Sequence, residues 1–270
     1  MPELPETETI ARDLDALIPG LTVHRVEVHR ADVLRGPLRA NFGPLQAGRV
    51  FARAWRRAKT VVLSLSGDHH VLVTPRFTGS LQFDTPGDDY AVVTWHLQDG
   101  RTLRYRDVRR LGTLTLVDSG GLAAFDRQLG IEPLSDAFTA GALSGILRVS
   151  RSAVKKVLME QRRIAGVGNI YANEALWRAG IDPSRPGDSI TGDEAALLVG
   201  EVRAVLAAGI AARGTTFRDY RDAHNARGGF ADQLQAYGRG GLPCPRCGTR
   251  LTETHAIDGR STVFCHRCQR

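Results

Sequence analysis

Residues 244–268 read CPRCGTRLTETHAIDGRSTVFCHRC, and this pattern predicts the structure of the C-terminal end of the chain. It contains two close cysteine pairs, Cys244 with Cys247 and Cys265 with Cys268, and seventeen residues separate the pairs. This spacing is typical of a zinc ion held tetrahedrally by four thiolates, with a β-hairpin between the pairs. Because four thiolates leave no position open for substrate, we expect one structural Zn²⁺. Redox-active cysteine pairs are the alternative.

The same hairpin is rich in arginine, a side chain that binds phosphate well. Its arginines are Arg246, Arg250, Arg260, Arg267 and Arg270, of which the last two could equally form a solvated basic tail. The whole chain has a formal net charge of +7 and a pI of about 9.7. This balance favours a polyanionic partner, which could be a nucleic acid, an anionic membrane or an acidic protein.

Further towards the N-terminus, residues 165–171 read AGVGNIY and lie between two stretches with helical spacing of apolar residues. Gly166 and Gly168 permit a tight turn whose backbone amides, with the start of the next helix, can bind a phosphate. Glycines in such a turn can also serve packing alone, and the motif by itself fits both interpretations. The helical spacing continues from about residue 136 to residue 220.

Residues 22–117 follow another pattern, in which short β-rich runs are separated by turn residues. The runs cover 22–28, 49–54, 60–65, 70–74, 90–97, 101–106 and 112–117. Regular spacing of this kind predicts a β-sandwich or barrel. We therefore predict an α+β chain. Its parts are a β-sandwich domain with a leading helix at 1–118, a linker at 119–135, a helical domain at 136–230 and the zinc finger at 231–270.

The N-terminus reads Met-Pro-Glu-Leu-Pro-Glu, and a helix is predicted from residue 6 to residue 18. Removal of Met1 would leave Pro2 with a free secondary amine, and an α-amino group has a pKa of about 7.7–8.0. Such an amine can attack the anomeric carbon of a sugar, and Glu3 and Glu6 lie close enough in sequence to move protons. Many proteins begin in this way without any such chemistry, which is the simpler interpretation of the N-terminus alone.

Lysine is rare in this chain, and the three lysines are Lys59, Lys155 and Lys156. GC-rich coding bias explains most of this, yet a retained lysine can mark a place where the amine must lose its proton. No apolar run reaches the length of a membrane span, and the N-terminus lacks the pattern of a signal peptide. We therefore expect a cytoplasmic protein with no membrane partner and no nucleotide cofactor.

Taken in order along the chain, these features resemble the bacterial formamidopyrimidine-DNA glycosylase family over essentially the whole length. The resemblance is carried by Pro2-Glu3-Leu4-Pro5-Glu6, Gly166-Val-Gly-Asn169-Ile-Tyr171 and the four-cysteine hairpin. Other stretches that agree with the family are 56–59 (RRAK), 78–81 (TGSL), 107–110 (DVRR), 129–134 (LGIEPL), 214–216 (GTT) and 235–239 (QAYGR).

The resemblance implies a β-sandwich, a helical domain with a helix-two-turn-helix, a zinc finger, and damaged double-stranded DNA bound across the cleft between two lobes. It also implies a monomer that removes 8-oxoguanine and formamidopyrimidines in base excision repair and then cuts the strand by β,δ-elimination. In this resemblance Pro2 is the Schiff-base nucleophile, Glu3 the general acid and base, and Glu6 a supporting carboxylate. Lys59 assists β-elimination, and Arg260 promotes δ-elimination and clamps a phosphate.

The resemblance also implies a set of DNA contacts. Arg151, Lys155 and Asn169 are expected to face phosphate or the damaged nucleotide, and Tyr90 a phosphate. Because a base inside a duplex must be flipped out, three residues are expected to fill the gap: Phe77, Arg109 and Leu111. Arg109 is expected to read the orphaned base, and packing inside the protein is the alternative role for the other two.

Several positions depart from the family. Phe77 stands where a methionine is usual, Leu111 where a phenylalanine is usual, and Tyr90 where relatives have a histidine. Gly228-Gly229 stands where a tyrosine is common in the loop at 218–229 that encloses the extruded base. These departures bear on the lesion spectrum and on the preference for the opposite base.

Three alternatives remain at this stage. The endonuclease VIII branch, which prefers oxidised pyrimidines, typically begins Pro-Glu-Gly-Pro-Glu, and Leu4 argues against it. A DNA-binding protein without chemistry has no evident use for Pro2, Glu3 and Lys59 together. A zinc-ribbon module for protein contacts leaves the N-terminal features unexplained.

Overall fold

The structure is a computed structural model that describes residues 2–86 and 89–270. Met1, whose removal would expose the Pro2 amine, lies outside the described residues. The chain divides into two compact units. The first comprises Met1–Gln128 with Ile210–Ala231, and the second comprises Leu129–Gly209 with Asp232–Arg270.

This division differs from the domain boundaries predicted from the sequence, which place residues 210–230 in the helical domain. In the structure these residues belong with the N-terminal unit, because their backbone and side chains bond to the first helix. The Thr215 amide donates to Glu6 Oε1, and the Arg213 guanidinium donates to Asp13 Oδ2 at 2.6 Å. These bonds join residues about two hundred positions apart, which local sequence patterns do not reveal.

Among the residues that the structure describes, the first unit contains helix α1 (Leu4–Leu17), helix α2 (Ser119–Asp126) and nine strands. The strands are β1 (Val23–Val28), β2 (Leu34–Arg35), β3 (Phe51–Arg57), β4 (Thr60–Leu65), β5 (His69–Thr74), β6 (Gly79–Phe83), β7 (Ala91–Leu97), β8 (Thr102–Asp107) and β9 (Thr113–Val117). They form a four-stranded sheet in the order β1-β7-β8-β6 and a five-stranded sheet in the order β2-β9-β5-β4-β3. All pairs are antiparallel except β2 with β9.

Alternation of side chains explains why these strands form a sandwich. Along β8 the buried residues Leu103, Tyr105 and Asp107 alternate with partly exposed neighbours. The buried side chains of both sheets and of α1, among them Ile10 and Leu14, form one hydrophobic cluster. The predicted sandwich is therefore confirmed.

Three elements of the first unit were not predicted from the sequence: strand β2, which has only two residues, strand β6 and helix α2. Strand β6 was missed because it is short and begins with a glycine, which is unfavourable in strands. Helix α2 lies where a linker was predicted, since its first turn contains Gly120 and Gly121. The Asp118 side chain accepts a hydrogen bond from the Gly121 amide at 2.7 Å and so caps this helix.

The second unit contains helices α3 (Ala140–Arg148), α4 (Val154–Met159), α5 (Asn169–Ala179) and most of α6 (Gly192–Ala211). It ends in an antiparallel hairpin of β10 (Thr252–Thr254) and β11 (Thr262–Phe264). The helical region and the terminal hairpin are those that the sequence predicts. Among residues 2–86 and 89–270, no helix is long and apolar enough to cross a membrane.

Candidate functional site

The start of α1 brings the N-terminal residues together in a buried position. Pro2 is buried, and Glu3 and Glu6 are 2% and 1% exposed. The two carboxylates form a capping box, in which the Glu3 amide donates to Glu6 Oε2 at 2.8 Å. The helix start thus fixes the backbone next to Pro2 and holds both carboxyl groups away from bulk water.

The second oxygen of Glu6 is held by a distant segment of the same unit. Glu6 Oε1 accepts a hydrogen bond from the Thr215 amide at 2.7 Å. The preceding Gly214 has φ of +86°, and a Cβ there would lie 2.9 Å from both Glu6 Cγ and Tyr220 Cε1. Only glycine therefore fits this approach of two chain segments. Both oxygens of Glu6 are engaged by backbone amides, which fixes the orientation of its carboxylate.

Tyr220 closes this arrangement from the other side of Gly214. Its hydroxyl donates to the Glu6 carbonyl oxygen at 3.3 Å. Burial raises the pKa of Tyr220 far above its usual value, and the nearby charges of Glu6 and Asp222 raise it further. Tyr220 is therefore a neutral hydrogen-bond donor at physiological pH.

Lys59 lies at the tip of the β3–β4 hairpin, next to the N-terminal helix. Ala58, with φ of +54°, forms the turn together with Lys59. The Ala58 carbonyl oxygen accepts hydrogen bonds from Thr7 Oγ1 of α1 at 3.4 Å and from Arg56 at 3.0 Å. The half-buried Lys59 is thus attached, through its neighbour, to the helix that carries Glu3 and Glu6.

An ion network strengthens the same attachment. Arg56 donates to Glu8 Oε2 at 2.7 Å, and Arg12 donates to Glu8 Oε1 at 2.7 Å. Burial would raise the pKa of Glu8, but the hydrogen bonds and charges of the two guanidiniums outweigh it, so that this pKa is lowered. Glu8 therefore stays ionised and joins α1 to β3.

Two exposed turns of the first unit carry the residues predicted to fill a gap in a base stack. Phe77 is 46% exposed, Leu111 is 38% exposed, and Arg109 is exposed. The Arg109 guanidinium stacks over the Phe77 ring at 5.4 Å, so these two side chains lie together. Tyr90 is half exposed, and the Arg106 guanidinium lies 5.2 Å from its ring centroid.

In the second unit, Gln161 builds the turn before α5. Its amide nitrogen donates to the Met159 and Val167 carbonyl oxygens at 2.8 and 2.9 Å, and its oxygen accepts from the Gly166 amide at 2.9 Å. Gly166 has φ of +97°, which explains the need for glycine there. Sequence analysis identified the two glycines of this turn, but no sequence pattern indicated a role for Gln161.

Asn169 and Lys155 both bond to the terminal hairpin. Asn169 Nδ2 donates to the Ser261 carbonyl oxygen at 3.0 Å. Lys155 is fully buried, and its ammonium donates to the same oxygen at 3.2 Å and to Thr262 Oγ1 at 2.6 Å. It also lies 3.6 Å from Asp258 Oδ1. The sequence analysis expects Lys155 to face DNA. In the structure its ammonium instead bonds the terminal hairpin.

Arg151 and Arg260 differ from these two residues because both are open to solvent. The Arg151 side chain is 96% exposed, and Arg260 is exposed on the turn between β10 and β11. The Arg260 amide donates to Asp258 Oδ1 at 3.1 Å, which fixes the backbone of that turn. Both guanidiniums are therefore accessible to an anion.

The four cysteines of the terminal hairpin form a metal site. Their sulfur atoms all lie within 4.8 Å of one another, and Cys247 Sγ is 3.5 Å from Cys265 Sγ. A tetrahedral zinc with Zn–S bonds of about 2.3 Å requires sulfur separations of roughly 3.8 Å, so this group fits the ion. Trp177, Leu251 and Val263 pack around the cysteines. The four thiolates therefore form a site for one structural Zn²⁺.

Models of three domain families match the chain in sequence order. Residues 1–114 match the formamidopyrimidine-DNA glycosylase N-terminal domain, and residues 129–221 match the formamidopyrimidine-DNA glycosylase H2TH domain. Residues 241–270 match the zinc finger found in FPG and IleRS. These matches agree with the sandwich, helices and hairpin described above.

Full-length proteins of the same description also match the chain. The chain is 42% identical to the formamidopyrimidine-DNA glycosylase of Roseiflexus sp. strain RS-1, with all of both chains covered, and 44% identical to that of Moorella thermoacetica, with 93% of each covered.

Two crystal structures are also similar. The MutM (Fpg) protein of Thermus thermophilus is 37% identical, with a TM-score of 0.89 over 99% of this chain and 98% of that one. The Lactococcus lactis Fpg in complex with DNA containing N7-benzyl-Fapy-dG is 28% identical, with a TM-score of 0.92 over all of both chains.

Proposed function

The chain belongs to the formamidopyrimidine-DNA glycosylase family, and on this basis we propose how its residues perform the reaction. It is a DNA glycosylase with AP lyase activity that binds damaged DNA and removes oxidised purines in base excision repair. We propose 8-oxoguanine and formamidopyrimidines as substrates, Pro2 as the nucleophile and β,δ-elimination as the route of strand cleavage. The relatives are bacterial, and because the substrate is chromosomal DNA we place the activity in the cytoplasm of a monomeric protein.

Pro2 supplies the nucleophile after Met1 has been removed. Its secondary amine attacks C1′ of the damaged nucleotide, the bond from C1′ to the base breaks, and the base leaves with a proton. Opening of the sugar ring, with a proton delivered to O4′, gives an iminium between Pro2 and C1′. Glu3 is the adjacent carboxyl group, and we assign it the transfer of protons at the sugar.

Glu6 is assigned a supporting role because its geometry is fixed on both sides. One carboxylate oxygen accepts the Glu3 amide and the other accepts the Thr215 amide. It therefore orients the helix start that carries Glu3 and contributes a fixed negative charge beside the forming cation.

Elimination then cuts the strand. Loss of a C2′ proton from the iminium breaks the bond from C3′ to its oxygen, and a second elimination breaks the bond from C5′ to its oxygen. We assign assistance of the first step to Lys59. Arg260 is assigned to the second step and to a phosphate clamp, for which its exposed guanidinium is suited.

The DNA contacts are assigned to exposed side chains, except for Asn169, which is half-buried. We assign phosphate contacts to Arg151, Tyr90 and Asn169, and insertion into the base stack to Phe77, Arg109 and Leu111. For Lys155 we propose an indirect contribution through the hairpin that presents Arg260, because its ammonium is buried against that hairpin.

One observation supports the amine mechanism most strongly, namely the buried helix start that contains Pro2, Glu3 and Glu6. Glu6 bonds the amides of Glu3 and Thr215 there. Its test is trapping with borohydride, which reduces the iminium to a stable bond. The processed protein is incubated with a duplex that contains 8-oxoguanine opposite cytosine. We expect a covalent adduct that peptide mass spectrometry places on Pro2.

The controls test whether the adduct depends on the Pro2 amine and on the lesion. Protein that retains Met1 and an undamaged duplex should each give no adduct, and Pro2→Gly should give much less. Absence of an adduct from the processed, zinc-loaded protein would contradict the assignment for this lesion. An adduct only with oxidised pyrimidines would favour the endonuclease VIII alternative, and failure with abasic sites as well would refute Pro2 chemistry.

A further inference from the structure

The two exposed turns that carry Phe77, Arg109 and Leu111 are joined beneath the surface by one buried carboxylate. Asp107 is the last residue of β8 and is 1% exposed. It lies opposite Gly79, the first residue of β6, in the four-stranded sheet. Residues 75–78 lead into β6 and residues 108–112 follow β8, so Asp107 lies where both turns begin.

Asp107 binds both turns through its side chain. Its Oδ2 accepts hydrogen bonds from the Gly112 amide at 2.8 Å and from the Tyr105 hydroxyl at 3.2 Å. Its Oδ1 accepts from the Thr78 hydroxyl. A carboxylate buried with three donors is well satisfied, whereas removal of these bonds would leave buried polar groups without partners.

Thr78 extends this network to the second turn. Its hydroxyl donates to Asp107 and at the same time accepts from the Arg109 amide at 3.1 Å. The hydroxyl therefore links the residue after Phe77 to the backbone of Arg109. Thr78 is 5% exposed, so water does not compete readily for these bonds.

Close packing keeps the turns in this shape. A Cβ at Gly112 would lie 1.8 Å from the Tyr105 hydroxyl, and a Cβ at Gly79 would lie 2.2 Å from the Pro75 carbonyl oxygen. Arg76 and Arg110, one in each turn, have φ of +52°, a conformation that side-chain residues adopt rarely. Such strained positions persist where the surrounding contacts determine them.

We propose that Asp107 and Thr78 are positioning residues that hold Phe77, Arg109 and Leu111 in the arrangement needed for insertion before DNA binds. Insertion of a side chain into a base stack costs the free energy of unstacking the bases. A turn that is already ordered loses no further conformational entropy when its side chain is inserted. This inference rests on the proposed function, because it takes the insertion role of the three exposed residues as given.

The test uses variants that differ by one hydroxyl. Thr78→Val keeps the shape of the side chain and removes the link, and Thr78→Ser restores the hydroxyl. We expect Thr78→Val to slow single-turnover excision of 8-oxoguanine from a duplex about tenfold, because loss of one hydrogen bond corresponds to a rate change of about this size. Cleavage of an abasic site in single-stranded DNA should be unchanged, since no base is stacked there. Thr78→Ser should recover most of the duplex rate.

Two further variants keep the test decisive. Asp107→Asn keeps one acceptor oxygen and places an NH2 group against the remaining donors, either Thr78 or Gly112 with Tyr105. It should show the same selective loss on duplex. Thr94→Val is the matched control, because Thr94 is 4% exposed in β7 of the same sheet and its hydroxyl bonds His29 Nε2 at 3.0 Å. This control should excise at the wild-type rate. Fluorescence of 2-aminopurine beside the lesion should show reduced unstacking with Thr78→Val and Asp107→Asn but not with Thr94→Val.

The outcomes separate this inference from the proposed function. Normal excision by Thr78→Val, or an equal loss on both substrates that Thr78→Ser does not rescue, would overturn the positioning role. If Phe77→Ala and Arg109→Ala also excise at the wild-type rate, insertion by these residues is itself wrong. If those two are defective while Thr78→Val is normal, only the positioning inference fails.

Discussion

At the scale of single residues, Lys155 shows how position changes the role that a residue type suggests. A lysine in a basic protein is expected to meet phosphate, yet this ammonium is fully buried and bonds Ser261, Thr262 and Asp258. A buried charge is tolerated only where it is paired and hydrogen-bonded. Its neighbour Lys156 is exposed, so adjacent lysines serve different purposes.

Replacement of the two lysines should therefore have opposite consequences. Lys155→Met leaves the Asp258 carboxylate and the Ser261 carbonyl oxygen without this donor, and we expect a loss of about 3 kcal/mol in the free energy of unfolding. Lys156→Met should change it by less than about 0.5 kcal/mol, as for most surface substitutions. Chemical denaturation of the zinc-loaded protein measures both. Equal stability of the two variants would contradict the structural role of Lys155.

A site residue could be predicted from the sequence where its partners lie close by along the chain in a recognisable pattern. Pro2, Glu3 and Glu6 lie within five positions, and the cysteines follow a spacing that metal geometry dictates, so both groups are evident in the sequence. Thr215 bonds a carboxylate that only the fold brings near. Gln161 bonds backbone atoms within six positions of it, but through a residue type that no motif singles out. Neither residue type carries a signal of its own, although Thr215 lies within a stretch that matches the family.

At the scale of elements, hydrophobic alternation located most of the strands to within a residue or two. It failed for β6, whose register depends on pairing with β8, and for α2, whose two glycines lower its helix propensity. The segment at 210–230 was placed in the helical domain because its composition is not distinctive. Its assignment to the first unit depends on contacts of Arg213 and Thr215 with α1.

The paired glycines in this segment give a prediction about the loop. A Cβ at Gly228 would lie 2.2 Å from the Gly214 carbonyl oxygen, whereas one at Gly229 would meet only the Ala212 oxygen at 3.8 Å. Gly228→Ala should therefore destabilise the protein by about 1–3 kcal/mol, because backbone atoms must move. Gly229→Ala should be neutral or stabilising by up to about 1 kcal/mol. Urea unfolding of the two variants measures this, and a larger loss for Gly229→Ala would refute the close approach.

At the scale of the whole molecule, the sandwich cluster and the cluster around the cysteines belong to different units. The cluster that contains the sandwich side chains draws its members only from the first unit, among them Ile10, Val61 and Tyr220. The cluster around the cysteines contains Trp177 of α5 and Val263 of β11, both in the second unit. Because each of these two clusters is internal to its unit, loss of one need not expose the other.

Zinc removal distinguishes these cores experimentally. Since four thiolates and a small apolar cluster hold the terminal hairpin, the free energy of zinc binding is largely its folding energy. Chelation should therefore remove hydrogen-exchange protection from β10 and β11. Release of the hairpin should also free Arg260 from its fixed turn and abolish DNA binding, and reloading with zinc should restore both.

The sandwich provides the internal control for this experiment. Strand β4 is buried along its whole length, so its amides should keep their protection after chelation. Loss of protection in β4 together with the hairpin would mean that the units unfold as one, and the separate cores would then not be independent. Retained protection in β11 after measured loss of zinc would instead mean that contacts with Trp177, Lys155 and Asn169 maintain the hairpin without the metal. The first result tests the division of the chain, and the second tests the structural role of the metal.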